Sequence, residues 1–318
     1  MTDIRRIALL QDGTLELRVA ESLVSVVAAW LPFSAVPVAD VIPEATITVK
    51  QGIVRESPVC SHSLRLGDVS VWVDDAHRQA ILHGPSSGAA GHIDLAVRGA
   101  TLTISPDANS RSIASDISTM LTLSAALLFN RLGKALVHAA AVAPPLGPAW
   151  LLVGDTHAGK TTTTVNLMAA GWEYLSDDHV VLSTESDECA TAITVDGWPR
   201  TFHLDEGWSK GLPGGLRVDA DPRALAPGQL RAHARLAGLL FLTVVRDAPT
   251  RIESLSAADA LALLLRQSPW LVADRHAAPA VLAMLTHTAK LPARHLFLGL
   301  DTFSDSGQLV RCLAPLLI

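Results

Sequence analysis

Residues 154–161 read Gly-Asp-Thr-His-Ala-Gly-Lys-Thr and fit the pattern G-x-x-x-x-G-K-[ST]. Each residue type in that pattern has a reason to be near phosphate. Glycine leaves room for main-chain N–H groups to converge on phosphate oxygens, where a side chain would block the approach. A helix starting at the end of the loop adds the positive end of its dipole. Lys160 supplies an ammonium for the outer phosphates, and the Thr161 hydroxyl suits Mg²⁺. Gly154, Asp155, Thr156, His157, Ala158, Gly159, Lys160, Thr161 and Thr162 are therefore expected to bind the phosphates of a nucleotide. His157 stands where many such loops carry a further glycine, and histidine is among the residue types that tolerate positive φ. A solvent-facing loop histidine is the simpler reading of that position.

Such a loop must be fed by a strand and followed by a helix. Trp150–Val153 is a short apolar run between Pro148 and Gly154, as a buried strand would be. Residues 161–170 then carry Val165, Leu167, Met168 and Ala169, and Gly171 stands where a helix C-terminal glycine belongs. One helix and one return strand later come Asp177 and Asp178. Beside a phosphate loop, one carboxylate can hold a metal while the other accepts the proton of an attacking hydroxyl. We assign Asp177 as the base and Asp178, with Thr161, as the metal side. The order is open, because neighbours on a strand end point in opposite directions; a turn bonded to its own backbone is the alternative. Arg200 and His203 follow a strand-like run and are candidates for clamping phosphate.

Composition bounds the class. Apolar residues make up 49% of 318 and charged ones 18%, yet the longest apolar run, Leu236–Val245, is interrupted by Gly238 and Thr243. It is far short of a membrane-spanning helix. After Arg5-Arg6 the apolar stretch Ile7–Leu10 is too short for a signal-peptide core. The expectation is a cytoplasmic protein with no membrane partner. Cys60, Cys189 and Cys312 are odd in number and far apart, which argues against a disulfide framework or a zinc cluster. A formal net charge of -6 argues against nucleic acid as partner.

Residues 1–108 alternate apolar and polar side chains over Thr14–Val19, Ala45–Val49, Val69–Val73, Ile93–Val97 and Thr101–Ile104, with a helix over Glu21–Leu31. This is a strand-rich α+β module and, with the stretch 207–229, one of two candidates for recognising substrate. A helix is expected over Ser110–Arg131, then strands at Ala135–Val142, Tyr174–Leu175, Val180–Leu182, Ile193–Val195 and Leu239–Val245. Ser256 caps a helix over Ala257–Arg266 with Asp259 three residues on, and Pro279–Ala289 is another. Gly207–Gln229, rich in Gly, Pro and charge, reads as a long surface loop. No strand ends in the paired acids of many motor ATPases, and no N-K-x-D motif is present, which favours ATP only by default and leaves the base preference open.

At residues 135–185 the chain resembles the HPr kinase/phosphorylase family, which phosphorylates a serine of a carrier protein. The residues that carry the likeness are His138, the loop 154–161, and Gly171-Trp172-Glu173-Tyr174-Leu175-Ser176-Asp177-Asp178. The likeness is closer to related kinases found beside lasso-peptide maturation genes. A looser echo follows in Trp198-Pro199-Arg200, in Leu239–Val245 and in Leu255–Ala260. The resemblance implies a P-loop kinase core of the phosphoenolpyruvate-carboxykinase kind over 109–318, ATP and Mg²⁺ as cofactors, and a peptide or protein hydroxyl as acceptor. It gives Lys160 and Thr161 phosphate and metal roles, Asp177 and Asp178 the base and metal, and His138 a place lining the site; a satisfied histidine among apolar neighbours is the other reading of His138. Thr161 replaces the family's serine, and the downstream motif tied to the phosphorylase reaction is missing. The expected class is thus α/β, α+β overall. The competing functions are a small-molecule hydroxyl kinase and a non-catalytic nucleotide-sensing module. Self-association is left open.

Overall fold

The computed structural model describes residues 4–9, 14–28, 30–32, 36–37, 42–54, 64–74, 76–105, 110–187, 190–205, 217–304 and 306–314. They form a mixed α/β protein of two compact units. The first comprises Met1–Leu136 with Pro269–Leu282, the second Val137–Ser268 with Ala283–Ile318.

The first unit is built on a sheet of β1 (Ile4–Leu9), β2 (Leu15–Ala20), β3 (Val36–Pro37), β4 (Ala45–Gln51), β5 (Leu64–Leu66), β6 (Val69–Asp74), β7 (Gln79–Gly84), β8 (Ala89–Asp94) and β9 (Gly99–Ile104), in the order β3-β1-β2-β4-β9-β8-β7-β6-β5. Alternation puts Ile47, Val49, Leu82, Ile93, Leu102 and Ile104 inside. Where a helix was expected over Glu21–Leu31 there is a 3₁₀ turn, Glu21–Leu23, and one turn α1 (Val24–Val27). Valine at 24, 26 and 27 gives that segment little helix propensity. The strand expected to run to Val97 stops at Asp94, whose Oδ1 accepts the N–H groups of Ala96 and Val97 and folds the chain into a turn.

Helix α2 (Ser110–Arg131) lies against β4, β7, β8 and β9 of that sheet. Its buried Asp116 accepts from Ser87 N and Ser87 Oγ, both at 2.7 Å, and so ties the helix to the β7–β8 turn. Arg131 grips Asp274 with two bonds, Nε–Oδ2 2.6 Å and Nη2–Oδ1 2.9 Å, and Trp270 Nε1 donates to Leu136 O. These contacts hold Pro269–Leu282 in the first unit. The boundary thus falls after Leu136, whereas the sequence had placed it at 108: α2 uses its apolar face on the first sheet.

In chain order the remaining elements are β10 (Ala135–Val137), β11 (Ala139–Ala143), β12 (Ala149–Val153), α3 (Lys160–Ala169), β13 (Glu173–Ser176), β14 (Val180–Asp187), β15 (Ala190–Gly197), β16 (Phe202–Asp205), β17 (Arg217–Ala220), α4 (Pro222–Leu225), β18 (His233–Val244), β19 (Arg251–Ser254), α5 (Ala257–Arg266), α6 (Ala278–Ala289), β20 (Ala293–Leu298), α7 (Asp301–Ser304) and α8 (Ser306–Leu313). The sheet of the second unit runs β14-β15-β18-β12-β11-β13, with β20 beside β18 and β19 beside β20. β18 organises it. Its first residues pair antiparallel with β15, and Leu239–Val244 pair parallel with β20; along the opposite side lies β12, also parallel. Three parallel strands therefore end together at Val153, Val244 and Leu298. On one sheet face Val142, Trp150, Leu152, Leu240, Leu242, Leu296 and Leu298 pack on Leu167 of α3 and on Leu309 and Leu313 of α8.

The single strand expected over Ala135–Val142 is two, broken at His138, because the His138 N–H bonds to Gln267 O. Of the expected loop 207–229, residues 207–216 lie outside the described set. Arg217–Ala220 pairs with Phe202–Asp205, and Asp221 caps the turn Pro222–Leu225. Ser256 accepts from Asp259 N and caps α5, as the sequence implied. Gly238 sits where a Cβ would lie 2.5 Å from both Pro292 O and Trp150 Cζ3. Gly238→Ala is accordingly expected to destabilise the protein by about 1–3 kcal/mol through overpacking, read as a lower midpoint in urea melts; an unchanged midpoint would show that β12 and β18 can move apart at no cost.

Candidate functional site around the glycine loop

β12 is buried along its length and delivers Gly154 to the C-terminal edge of the sheet. A Cβ on Gly154 would stand 2.7 Å from Ala158 Cβ and 3.1 Å from Leu242 O. Gly159 has φ +94, and a Cβ there would meet Leu298 Cδ1 at 2.9 Å and Val244 Cγ2 at 3.3 Å. Both glycines of the pattern are required by the fit of the loop against the ends of β18 and β20. His157 has φ +66, within the region histidine tolerates, and its side chain is exposed. Thr156 is also exposed and Thr162 half-buried.

Helix α3 starts at Lys160 and ends at Ala169, with Gly171 at φ +91 and its N–H on Met168 O. Lys160 is only 6% exposed. Its ammonium turns back over the loop and donates to Gly154 O at 2.8 Å, Asp155 O at 3.2 Å and His138 Nε2 at 3.2 Å. Burial lowers its pKa, opposed by the charges of Asp178, Asp177 and Asp155. His138 is held neutral by burial first and by the adjacent ammonium second, so its Nε2 is free to accept. Asp155 projects its carboxylate the other way, to Arg266 Nη2 at 2.7 Å and Gln267 Nε2 at 2.9 Å.

The acid pair arrives on the turn after β13. Thr161 Oγ1 donates to Asp177 Oδ2 at 2.8 Å. The other oxygen, Asp177 Oδ1, is buried and has no partner among the described residues. Burial, reinforced by the charge of Asp178, pushes this carboxyl up to about 7; the Thr161 bond and the Lys160 charge pull the other way. Asp178 points apart, as strand-end neighbours do, and meets Arg200 Nη2 at 3.2 Å. Its φ of +89 lies beyond the ordinary left-handed well and costs on the order of 1 kcal/mol. Strain of this kind, held by its surroundings, gathers at functional sites.

Neighbours that the sequence did not single out complete the cluster. His179 Nδ1 lies 3.2 Å from Arg200 Nη2, and its ring meets that of His138 edge to face at 5.8 Å. Burial, then the Arg200 charge, holds it well below its ordinary pKa. Tyr174, the chain's single tyrosine, accepts from Arg200 N and donates to Arg200 O, both at 3.3 Å. Ser176 Oγ bonds Trp198 N and O. These bonds require β15 to end hard against β13: a Cβ on Gly197 would come within 2.2 Å of Leu175 O. His179 could have been found by its place next to the acid pair. Tyr174 stands in the run 171–178 that ends in the acid pair, whereas Gln267 carries no local signal.

His138, the loop, Lys160, Thr161, Asp177, Asp178 and Arg200 are thus brought together. His203 is not. Phe202 and Leu204 bury themselves with Val165 and Met168 of α3, so His203 between them faces away and pairs with Asp219 at 2.7 Å on an exposed ribbon.

No family model matches the chain, and no curated protein matches it. Among solved structures it is similar to the HPr(Ser) kinase/phosphatase from Coxiella burnetii, with 13% identity over 38% of this chain and 70% of that one, and a TM-score of 0.25.

The cluster offers one converging ammonium, one guanidinium, two carboxyls of unequal exposure and the N-terminus of α3, an arrangement able to hold a polyanion and accept a proton beside it. The Asp177 carboxyl ionises near 4 in an unfolded chain and near 7 in the folded one. Its ionisation therefore costs nothing to folding below about pH 4, an increasing amount between 4 and 7, and the full amount above 7. Asp177→Asn is expected to stabilise the protein by about 1–3 kcal/mol at pH 8 and hardly at all at pH 4. Denaturant melts at the two pH values check this, and a loss of stability at pH 8 would refute it.

Proposed function

We propose that this chain is an ATP-dependent phosphotransferase that moves a phosphoryl group onto a serine or other hydroxyl of a peptide or protein, a ribosomally made (lasso) peptide being one candidate acceptor. The observation that carries the proposal is the position of Asp177, bonded through one oxygen to the first-turn hydroxyl of α3 and buried with its second oxygen unpartnered. A loop that only binds nucleotide has no need of such a group, whereas hydroxyl phosphorylation requires a proton acceptor beside the phosphates.

In this reading the N–H groups of the loop and the start of α3 receive the phosphates. Lys160 exchanges the carbonyls of Gly154 and Asp155 for phosphate oxygens, trading dipoles for charges. Asp177 accepts the hydroxyl proton at Oδ1, and its near-neutral pKa suits a base working at neutral pH. The Arg200 guanidinium, whose buried Nε has no partner among the described residues, faces the same side as Asp178 and can receive charge on the transferred group. Mg²⁺, when bound, would neutralise charge between the phosphoryl groups. Thr161 and Asp178 would hold it. Both are hard oxygen donors, and Asp178 is open enough, at 41% side-chain exposure, to reach an ion. The first unit, which contributes none of these groups, and the stretch 207–229 are the two candidates for recognising the acceptor.

Incubation with labelled ATP, Mg²⁺ and peptides with or without a serine, read by mass, tests the proposal directly. Lys160→Ala should cut transfer by about 10²-fold or more with the fold intact. Asp177→Asn should abolish transfer while ATP affinity stays within about twofold, and Asp178→Asn should weaken Mg²⁺-ATP as well. Wild-type transfer by both aspartate variants would rule the mechanism out and leave a nucleotide-sensing module as the reading to pursue.

A further inference from the structure

Four residues close a ring around the Lys160 ammonium. Lys160 Nζ donates to the carbonyl of Asp155 and to the ring of His138, each at 3.2 Å. The Asp155 carboxylate accepts from the side-chain amide of Gln267 at 2.9 Å, and the main-chain carbonyl of the same Gln267 accepts the His138 N–H at 2.9 Å. Gln267 is thus bonded to both walls of the lysine's cage while touching the lysine through neither of these bonds. It is 7% exposed and stands at the C-terminal end of α5, where its own N–H closes the helix on Leu264 O and Leu265 O. That capping needs no side-chain amide. The amide is spent on Asp155.

A lysine is a compact charge on a flexible stem, so its position is set by the acceptors placed around it. The Arg266–Asp155 pair also touches the loop, but both side chains are 62% exposed, and an exposed pair of this kind contributes little. The buried amide is the contact that orients the Asp155 carboxylate, and with it the first peptide of the glycine loop. His138 is fixed from the same residue: its N–H leaves the strand ladder for Gln267 O, which turns the imidazole toward Lys160.

We infer that Gln267 is a positioning residue for the Lys160 ammonium, acting through Asp155 on one side and His138 on the other. The inference rests on the nucleotide-binding part of the function proposed above and adds to it a residue on a different helix, more than a hundred positions away in the chain.

The test is calorimetric titration of the full-length protein with Mg²⁺-ATP, with a denaturant melt of each variant. Gln267→Glu keeps the shape of the side chain and sets a carboxylate against the Asp155 carboxylate, which should weaken binding by about tenfold or more. Gln267→Met removes the amide but keeps the bulk and the main-chain carbonyl, and should weaken binding by about threefold or more with the melt midpoint close to that of wild type. A purely structural role for Gln267 would instead lower the melt midpoints of both variants and leave the affinity of the folded protein unchanged. If both variants bind as wild type does, the inference is wrong while the nucleotide reading stands. Should wild type itself not bind Mg²⁺-ATP, the nucleotide reading falls and this inference with it.

Discussion

Removing ionised groups from water costs several kcal/mol per ion, and most of the geometry around the glycine loop is arranged to offset that cost at Lys160 and Asp177. The means differ. Among the described residues the Lys160 ammonium is met by two main-chain carbonyls and a neutral imidazole, with the carboxylates acting from a distance. Asp177 is met by one hydroxyl, and burial raises its pKa to about 7. Direct contact between the two would have produced a buried ion pair, self-satisfied and closed to a ligand. Keeping them apart leaves a cation whose partners are dipoles and an acid whose second oxygen is unused. Both are ready to exchange what they have for a charged or hydroxylic partner.

The scaffold explains how they are kept apart. Lys160 comes from the head of α3 and Asp177 from the turn after β13, which reach the same edge of the sheet along different strands, β12 and β13, with β11 between them. The separation is therefore one strand wide and set by backbone pairing. Two close approaches without a Cβ hold the frame: Gly238 under Trp150, and Gly197 against the carbonyl of Leu175. The first lets β12 and β18 pair at the loop; the second brings Arg200 to Asp178.

Much of this was legible in the sequence where local rules govern it. The strand into the loop, the helix out of it, Gly171 at the end of that helix, Ser256 at the start of α5 and the return of two acids beside the loop each follow from spacing and residue type over a dozen positions or fewer. What escaped depends on partners distant in the chain. The run Ala135–Val142 looks like one strand until the carbonyl of Gln267 takes the His138 N–H. The ribbon Phe202–Asp205 with Arg217–Ala220 could not be seen in a stretch rich in glycine and proline, and without it His203 had no reason to face away from the cluster. Helix α2 was found at its right limits but given to the wrong unit, because its pattern shows that a face is buried and not against which sheet.

The chain enters the second unit after Leu136, returns to the first at Pro269 and leaves it again after Leu282. During synthesis, then, the amino-terminal sheet is made long before the segment bearing Trp270 and Asp274 that completes its unit, and the stretch Val137–Ser268 of the second unit emerges in between. Arg131 leaves the ribosome with its partner still more than a hundred codons away. Domains that are continuous in sequence mature in the order in which they are translated; here the unit begun first is completed only after most of the second has been made. A nascent chain arrested anywhere between 137 and 268 would present α2 without the carboxylate that grips its end.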